Sequence, residues 1–282
     1  MEVRSNPIVD RAEWERQRAA AAEDPGRFHG GIAKRAIHWH DAERGEWLTY
    51  DEAADCWTGW SATSGEAVLV REYDERHEPW DRAFDGDDPP HYGWFSGGLT
   101  NAAFNEVDRH VLAGHGEEAA FIVEGDHWDE AAGAPLVSFA VSRARLLLET
   151  VKAALVLRSL GLRRGDRIAL NLPNIIEQVY WSEAAKRLGI IYTPVFGGFS
   201  AKTLSDRIAD AGARVLVTAD GGYRNGRVVP FKPAYADPAL DDHIARDVAE
   251  ATVARALAEC RVAGDAARQV EKGVARALEG EV

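Results

Sequence analysis

Apolar residues between positions 138 and 218 follow two alternating patterns, the spacing of an amphipathic helix and the short continuous run of a buried strand. The pattern predicts helices at 142–160, 175–188 and 200–211, each next to a strand, at 167–172, 190–196 and 215–218. Predicted caps are Asn174 and Ser200 at helix starts, and Gly161, Gly189 and Gly212 after helix ends. This succession predicts an α/β fold, with a parallel sheet and right-handed crossover helices.

The region 1–135 has a different composition. Eight of the nine tryptophans lie in it, at Trp14, Trp39, Trp47, Trp57, Trp60, Trp80, Trp94 and Trp128. Turn signals are dense, short strands are predicted at 36–40 and 47–50, and a short helix is predicted to begin at 51–54. We interpret this region as an irregular layer whose aromatic side chains cover the sheet; the alternative is a platform for a sugar or a base.

The segment 236–282 is rich in Ala, Glu, Arg and Asp and carries no strand signal. It predicts two helices separated at Gly264–Asp265, one of them with the apolar face Val270, Val274, Ala277 and Leu278. The predicted domains are therefore the Trp-rich layer 1–135, an α/β part at 136–235 and a helical segment at 236–282. Because no capping element closes the last helix, we interpret the chain as the incomplete N-terminal part of a larger fold.

The net charge of −13 argues against a general nucleic-acid partner, because neutralising phosphates needs a clustered basic surface. A local basic pocket for a phosphorylated ligand is compatible with it. Cys56 and Cys260 are too few for a disulfide or zinc framework. No apolar leader region and no run of about 18 apolar residues occur, so we expect a cytoplasmic protein without a membrane partner.

A glycine turn and two arginines are the candidate chemistry of the α/β part. Glycines between a strand and a helix, at 196–200, let backbone N–H groups approach an anionic ligand; the alternative is a turn that needs glycine for steric reasons. Arg224 and Arg227 follow the third strand and are able to grip a phosphate through guanidinium forks. The alternative is a pair of solvated surface arginines, with Lys232 adding charge nearby.

Three histidines and their neighbours suggest other chemistry. Asp108-Arg109-His110 is compatible with acid/base work, but no nucleophile context accompanies it, and a structural ion pair is the favoured interpretation. His38 and His40 are predicted to point the same way on a strand, without the further ligands that a metal site needs.

Four stretches resemble the AMP-forming, acetyl-CoA synthetase-like ligases of the adenylate-forming superfamily. They are W-F-S-G-G-L-T-N-A-A-F-N-E-V-D-R-H-V at 94–111, G-L-R-R-G-D-R-I-A-L-N-L-P-N at 161–174, E-A-A-K-R-L-G-I-I-Y-T-P-V-F-G-G-F-S at 183–200 and A-R-V-L-V-T-A-D-G-G-Y-R-N-G-R at 213–227. The stretches at 4–21 and before Trp80 resemble more specifically the N-terminal ligase region of propionyl-CoA synthases, in which a ligase is fused to a hydratase and a reductase.

The resemblance implies that Gly198, Arg224 and Arg227 bind CoA, with the arginines near its 3′-phosphate. Typical members have a small aliphatic residue before the first arginine, where this sequence has Tyr223. The resemblance also implies a short carboxylic acid as substrate, 3-hydroxypropionate in a propionyl-CoA synthase, and ATP with Mg²⁺ as cofactors. Acetate, propionate and acrylate stay open as substrates.

The family's adenylation motifs do not occur in residues 1–282: the Ser/Thr/Gly-rich phosphate loop ending in Lys, the acidic metal ligand, the ribose-binding Asp and the catalytic Lys. No catalytic or metal-binding residue is therefore assigned. We expect the remainder of the parent ligase as a partner, and no activity in the chain alone. The alternatives are a non-catalytic α/β interaction module and a separate nucleotide-binding domain, the latter without a G-x-G-x-x-G fingerprint.

Overall fold

The computed structural model describes residues 10–63, 66–74, 76–125, 127–224, 227–241 and 249–252. They belong to two units, one ending at Asn101 and the other beginning at Ala102. The boundaries expected at 135 and 235 both fall within the second unit, and the predicted domain organisation stays a prediction. No described helix has the length and apolar character needed to span a membrane.

The described residues of the first unit form two helices and two antiparallel sheets. The helices are α1 (Arg11–Glu23) and α2 (Pro25–Ala36). The strands are β1 (Trp39–Asp41), β2 (Glu46–Asp51), β3 (Cys56–Thr63), β4 (Glu66–Glu72), β5 (Arg82–Asp85) and β6 (Gly93–Ser96). Strands β1 to β4 form a four-stranded sheet in chain order, and β5 pairs with β6. The prediction of an irregular layer is therefore wrong for this unit.

Aromatic packing explains why this unit is regular. Trp39 and Trp57 both lie edge-on to Trp80, with ring centroids 4.9 and 5.9 Å apart, in a buried core with Ala33 and Leu48. These large side chains supply the apolar area that a small antiparallel sheet needs on one face. These three tryptophans thus belong to the core of their own unit.

Two local predictions in this unit are corrected. Helix α2 continues to Ala36, so the strand predicted at 36–40 begins only at Trp39. The helix predicted from Asp51 is a turn, because the Asp51 carboxylate accepts hydrogen bonds from the N–H groups of Ala53 and Ala54 at 2.9 and 3.2 Å. A short side-chain acceptor of this kind competes with helix formation.

His38 and His40 pack against a stacked tryptophan pair. Their rings lie edge-on to Trp60 and Trp47 at 5.8 and 5.1 Å, and these two tryptophans are partners in the β2–β3 ladder. The histidines therefore share a face, as predicted, although His38 lies before β1 and not within a strand. Burial lowers the pKa of His40, against the opposing charge of Asp41.

The described residues of the second unit form four α-helices, a parallel sheet and three two-stranded antiparallel sheets. Two π-helical segments come first, Phe104–Asp108 and Val111–His115. The strands are β7 (Ala119–Glu124), β8 (Trp128–Asp129), β9 (Ala134–Pro135), β10 (Ser138–Ser142), β11 (Arg167–Asn171), β12 (Ile191–Pro194), β13 (Val215–Thr218), β14 (Gly222–Arg224), β15 (Arg227–Val229) and β16 (Ala249–Thr252). The helices are α3 (Arg143–Ser159), α4 (Glu177–Arg187), α5 (Ala201–Ala211) and α6 (Asp237–Asp241), the last preceded by a π-helical segment, Lys232–Ala236.

The parallel sheet has the strand order β12-β11-β13-β16. Ile168 and Leu170 of β11 face α3 and α4, where they pack with Leu157 and Trp181. Ala169, between them, faces the opposite side, where α5 packs through residues such as Leu204. Both faces of the sheet are covered by helices, and the predicted α/β class is confirmed; the handedness of the crossovers stays a prediction.

The predicted caps are confirmed with one exception. Ser200 accepts a hydrogen bond from the N–H group of Thr203, and Gly161, Gly189 and Gly212 have φ values of 77°, 64° and 59°. Ser142, which was not among the predicted caps, caps α3 in the same way through the N–H group of Arg145. Asn174 is not a cap, because helix α4 begins only at Glu177, and Ile176 precedes it without a side-chain cap. The chain first turns tightly after the strand, where the Ile175 N–H bonds to the Pro173 carbonyl at 2.8 Å.

The prediction of a purely helical segment at 236–282 is wrong at 249–252. That segment is β16, which pairs in parallel with β13. The open edge of β13 offers a row of backbone hydrogen-bonding groups, and pairing with it outweighs the weak strand propensity of Ala and Glu. The two helices predicted around Gly264–Asp265, and Cys260, lie outside the described residues.

Candidate functional site

The carboxyl ends of three parallel strands carry the predicted site residues. Strand β12 leads into the glycine turn, and β13 leads into the hairpin β14–β15 that contains the two arginines. Strand β11 lies between them and leads to Pro173. Because the carboxyl ends of parallel strands share one edge of a sheet, the turn and the hairpin belong to the same edge, where α/β proteins commonly bind ligands.

The glycine turn spans Phe196–Phe199, closed by a hydrogen bond from the Phe199 N–H to the Phe196 carbonyl at 3.0 Å. Gly197 is buried, and a Cβ atom on it would lie 2.5 Å from Cζ of Phe231. The steric interpretation is therefore correct for this glycine. Gly198, the predicted ligand contact, is exposed, and Ser200 then caps α5.

The arginines belong to a two-stranded hairpin, not to an open loop. Its register pairs Gly222 with Val229, Tyr223 with Val228 and Arg224 with Arg227. The two arginine positions are thus direct cross-strand partners, whose Cα atoms in such ladders are about 4.5–5.5 Å apart. The Arg227 side chain is exposed, and within the described part of the chain it has no hydrogen-bond or ion-pair partner.

Phe231 connects the glycine turn to the hairpin. Its ring is 3% exposed and contacts Gly197, and a Cβ atom on Gly222 would lie 3.5 Å from Cε2 of the same ring. That Cβ atom would also lie 2.7 Å from Cβ and Cγ of Pro173, so any side chain at Gly222 is excluded. Sequence reasoning missed Phe231; the glycines on both sides of it are the signal that could have indicated a close-packed ring.

Two buried polar side chains lie at the same strand ends. Asn171, at the end of β11, donates from Nδ2 to the Val195 carbonyl at 3.3 Å, directly before the glycine turn. Thr218 is its cross-strand partner in β13 and donates to the Ala219 carbonyl at 3.4 Å. These bonds tether the chain where it leaves the strands.

Lys232 contributes little uncompensated charge. Its ammonium group forms an ion pair with Asp237, and its backbone N–H lies 3.5 Å from the Asp220 carbonyl. Asp220 is exposed, and its carboxylate accepts a hydrogen bond from the N–H of Gly221 at 2.8 Å.

Asp108, in the trio Asp108-Arg109-His110, forms a structural ion pair, as predicted. Asp108 is 1% exposed and forms a two-pronged ion pair with Arg187 of α4, with 2.9 Å between Nη1 and Oδ1. Burial lowers the pKa of His110, and the positive charges of Arg109 and Arg143 lower it further. Among the described residues, no group of three or more His, Cys, Asp and Glu is arranged to hold a metal ion.

Comparison with known sequences adds two family matches. Residues 131–276, just over half of the chain, match the model of a family described as AMP-binding enzyme, and residues 71–105 match one described as acetyl-coenzyme A synthetase N-terminus. The first match contains all three predicted CoA contacts.

Similar curated proteins include three acetyl-coenzyme A synthetases. That of Streptomyces avermitilis is 44% identical over 162 residues, which cover 57% of this chain and 23% of the relative. Those of Mycobacterium tuberculosis and Campylobacter jejuni are 45% and 38% identical, covering 57% and 68% of this chain and 24% and 27% of the relatives. The chain thus spans about a quarter of the length of the curated relatives that it matches.

The two central glycines of the turn should respond differently to a methyl group. Gly197→Ala should lower the free energy of unfolding by about 1–3 kcal/mol, because the added Cβ overlaps the buried Phe231 ring. Gly198→Ala, at the exposed neighbour, should change it by about 0.5 kcal/mol or less. Urea denaturation of both variants measures the difference.

The double variant Gly197→Ala/Phe231→Leu provides the control for this prediction. Since the smaller side chain relieves the overlap, its loss of stability should be less than the sum of the two single losses. Additive losses, or equal losses at the two glycines, would contradict the assigned packing.

Proposed function

Since the chain belongs to the AMP-binding enzyme family, as its resemblance to AMP-forming acyl-CoA synthetases predicts, we propose that it supplies the CoA contacts of an acid–CoA ligase. The observation that carries the proposal is the hairpin β14–β15, which makes Arg224 and Arg227 direct partners at the edge of the sheet where exposed Gly198 lies. The acetyl-coenzyme A synthetase relatives support the same reaction class.

The arginine pair is proposed to bind the 3′-phosphate of CoA. Guanidinium groups form charge-assisted, two-pronged hydrogen bonds with phosphate, and two opposed positions let one phosphate be held from both strands. Arg227 suits this role because it is exposed and lacks a partner among the described residues. Gly198 is proposed to allow close approach of CoA to the backbone, since it has no side chain on the exposed side of the turn.

In the proposed reaction, the acid's carboxylate displaces pyrophosphate from ATP and forms an acyl-adenylate. The CoA thiol then loses its proton, its sulfur attacks the acyl carbon, and AMP leaves with the electron pair of the broken C–O bond. Holding CoA by its phosphate converts this attack into a step between positioned reactants. The described residues do not provide a metal-binding set, so we assign them only this CoA-binding part, and we propose that the remainder of a ligase supplies the ATP and Mg²⁺ site.

We propose 3-hydroxypropionate as the acid, on the resemblance of 4–21 and the Trp-rich region to propionyl-CoA synthases. A full-length gene product containing this chain should then show a higher kcat/KM for 3-hydroxypropionate than for acetate, propionate or acrylate, measured by AMP release. A preference for acetate would replace this substrate with that named for the relatives, and would leave the proposed CoA site unaffected.

Charge reversal tests the CoA site. In the same full-length protein, Arg224→Glu or Arg227→Glu should raise the KM for CoA about tenfold to a hundredfold, since a charge-assisted phosphate contact contributes about 1.5–3 kcal/mol. Acid-dependent pyrophosphate exchange, which reports adenylate formation without CoA, should stay nearly unchanged. Equal damage to both half-reactions would mean that the arginines are structural.

Residues 1–282 alone should have no ligase activity. The phosphate loop, acidic metal ligand and catalytic lysine of the family act as a unit, and none occurs in this sequence. Purified chain should therefore give pyrophosphate exchange no higher than a protein-free control, with any of the four acids. Exchange above that control would require an adenylation site among these residues.

A further inference from the structure

The hairpin β14–β15 needs support from the rest of the unit to have a fixed position. It has three residues in each strand and pairs with no third strand among the described residues. A two-stranded ribbon of this size is marginal by itself in water. Packing of Gly222 against Pro173 and Phe231 holds only its base.

A second contact lies on the side of the hairpin away from Arg227. Successive residues of a strand point to opposite faces, so the rung formed by Tyr223 and Val228 faces away from the side that carries Arg227. On that side the Tyr223 ring lies edge-to-face with the ring of His127, with centroids 4.4 Å apart and an interplanar angle of 83°. Tyr223 is otherwise 58% exposed.

His127 lies between β7 and β8, in an antiparallel arm that is formed by the strand pairs β7–β10 and β8–β9. Its carbonyl accepts a hydrogen bond from the Leu136 N–H at 2.8 Å, and the Gly125 N–H bonds to the Val137 carbonyl at 2.8 Å, so the arm's two sides are joined on either side of the histidine. At its base, Val141 of β10 is buried in a cluster with Leu146 and Tyr180. The arm therefore offers Tyr223 a support that is connected to the core.

The contact depends on packing. Nε2 of His127 is buried and has no hydrogen-bond partner among the described residues, so on that side the ring is held by its surroundings. Edge-to-face aromatic pairs have a preferred geometry that restricts both rings. An aromatic contact on one face of the hairpin limits how far the opposite face can move.

We propose that Tyr223 is a positioning residue, which packs on His127 and thereby fixes the arginine rung for the 3′-phosphate of CoA. This inference rests on the proposed CoA site. It implies that the aromatic contact affects only ligands that carry that phosphate.

The test uses the full-length gene product, with CoA and 3′-dephospho-CoA as the two acceptors. Tyr223→Ala and His127→Ala should each raise the KM for CoA about threefold to tenfold, while adenylate formation and the KM for 3′-dephospho-CoA stay unchanged. The double variant should be no worse than the worse single variant, because both remove the same contact. Tyr223→Phe, which keeps the ring, should retain the wild-type KM.

Val228→Ala is the matched control, since Val228 is the cross-strand partner of Tyr223 and is 65% exposed. It should leave both KM values unchanged. Equal losses with CoA and 3′-dephospho-CoA, additive losses in the double variant, or a similar loss in Val228→Ala would overturn the inference.

NMR distinguishes a failure of this inference from a failure of the proposed CoA site. Tyr223→Ala should shift the ring-proton signals of His127, through loss of the tyrosine ring current, and Val228→Ala should not. If wild-type protein does not discriminate between CoA and 3′-dephospho-CoA while the NMR shift is present, the arginine site itself is wrong, and the contact serves another purpose. If the shift is absent, the contact is wrong whatever the CoA kinetics.

Discussion

The ring of Phe231 is the constraint on which the carboxyl edge of the sheet depends. It lies against Gly197 after β12 and near Gly222 after β13, and Gly222 lies in turn against Pro173 after β11. Segments that follow three different strands therefore meet around one buried side chain. Close packing of this kind tolerates little change in volume, so the two glycines are required by their neighbours.

The packing around Phe231 distinguishes the two glycines of the glycine turn. Gly197 is buried against the Phe231 ring, whereas Gly198 is exposed and is the position at which CoA is proposed to approach the backbone. The tether from Asn171 to the Val195 carbonyl fixes the point at which the turn begins. A rigid base next to an open backbone position is what a binding site on a loop requires.

Ion pairs fix the position of α4, the helix that connects β11 and β12. Arg187, at the end of α4, is paired with buried Asp108, and removing one partner of such a pair typically costs about 3–5 kcal/mol because a charge stays buried. One turn of helix earlier, burial raises the pKa of Glu183, and its hydrogen bond with Lys186 opposes that shift. Burial would lower the pKa of Lys186, but hydrogen bonds to Glu106 and Glu183 outweigh it and raise the value to about 12. Because β12 and the glycine turn follow α4 in the chain, these ion pairs also help to fix their position.

Local patterns predicted the regular part of the second unit and failed where long-range contacts decide. Helix α5 has its cap, apolar face and terminal glycine within a dozen residues, so periodicity sufficed. The helix start at Glu177, the strand β16 and the regular sheet of the first unit depend on partners distant in sequence, which override propensity. The arginines were singled out by residue type, but their direct pairing depends on the hairpin register. Phe231 is indicated only by glycines that are distant from it in sequence, and His127 carried no local signal.

The acidic character of the chain and a phosphate site are compatible because electrostatic interactions are short-ranged in salt. At physiological ionic strength the Debye length is about 8 Å, so most of the net charge of −13 is screened at any one surface point. Close to the hairpin, Lys232 and Asp237 compensate each other, and Asp220, which precedes the hairpin, is exposed. An acidic surface around a small cationic rung disfavours long polyanions, which must contact many sites, more than a compact phosphorylated ligand that needs only one.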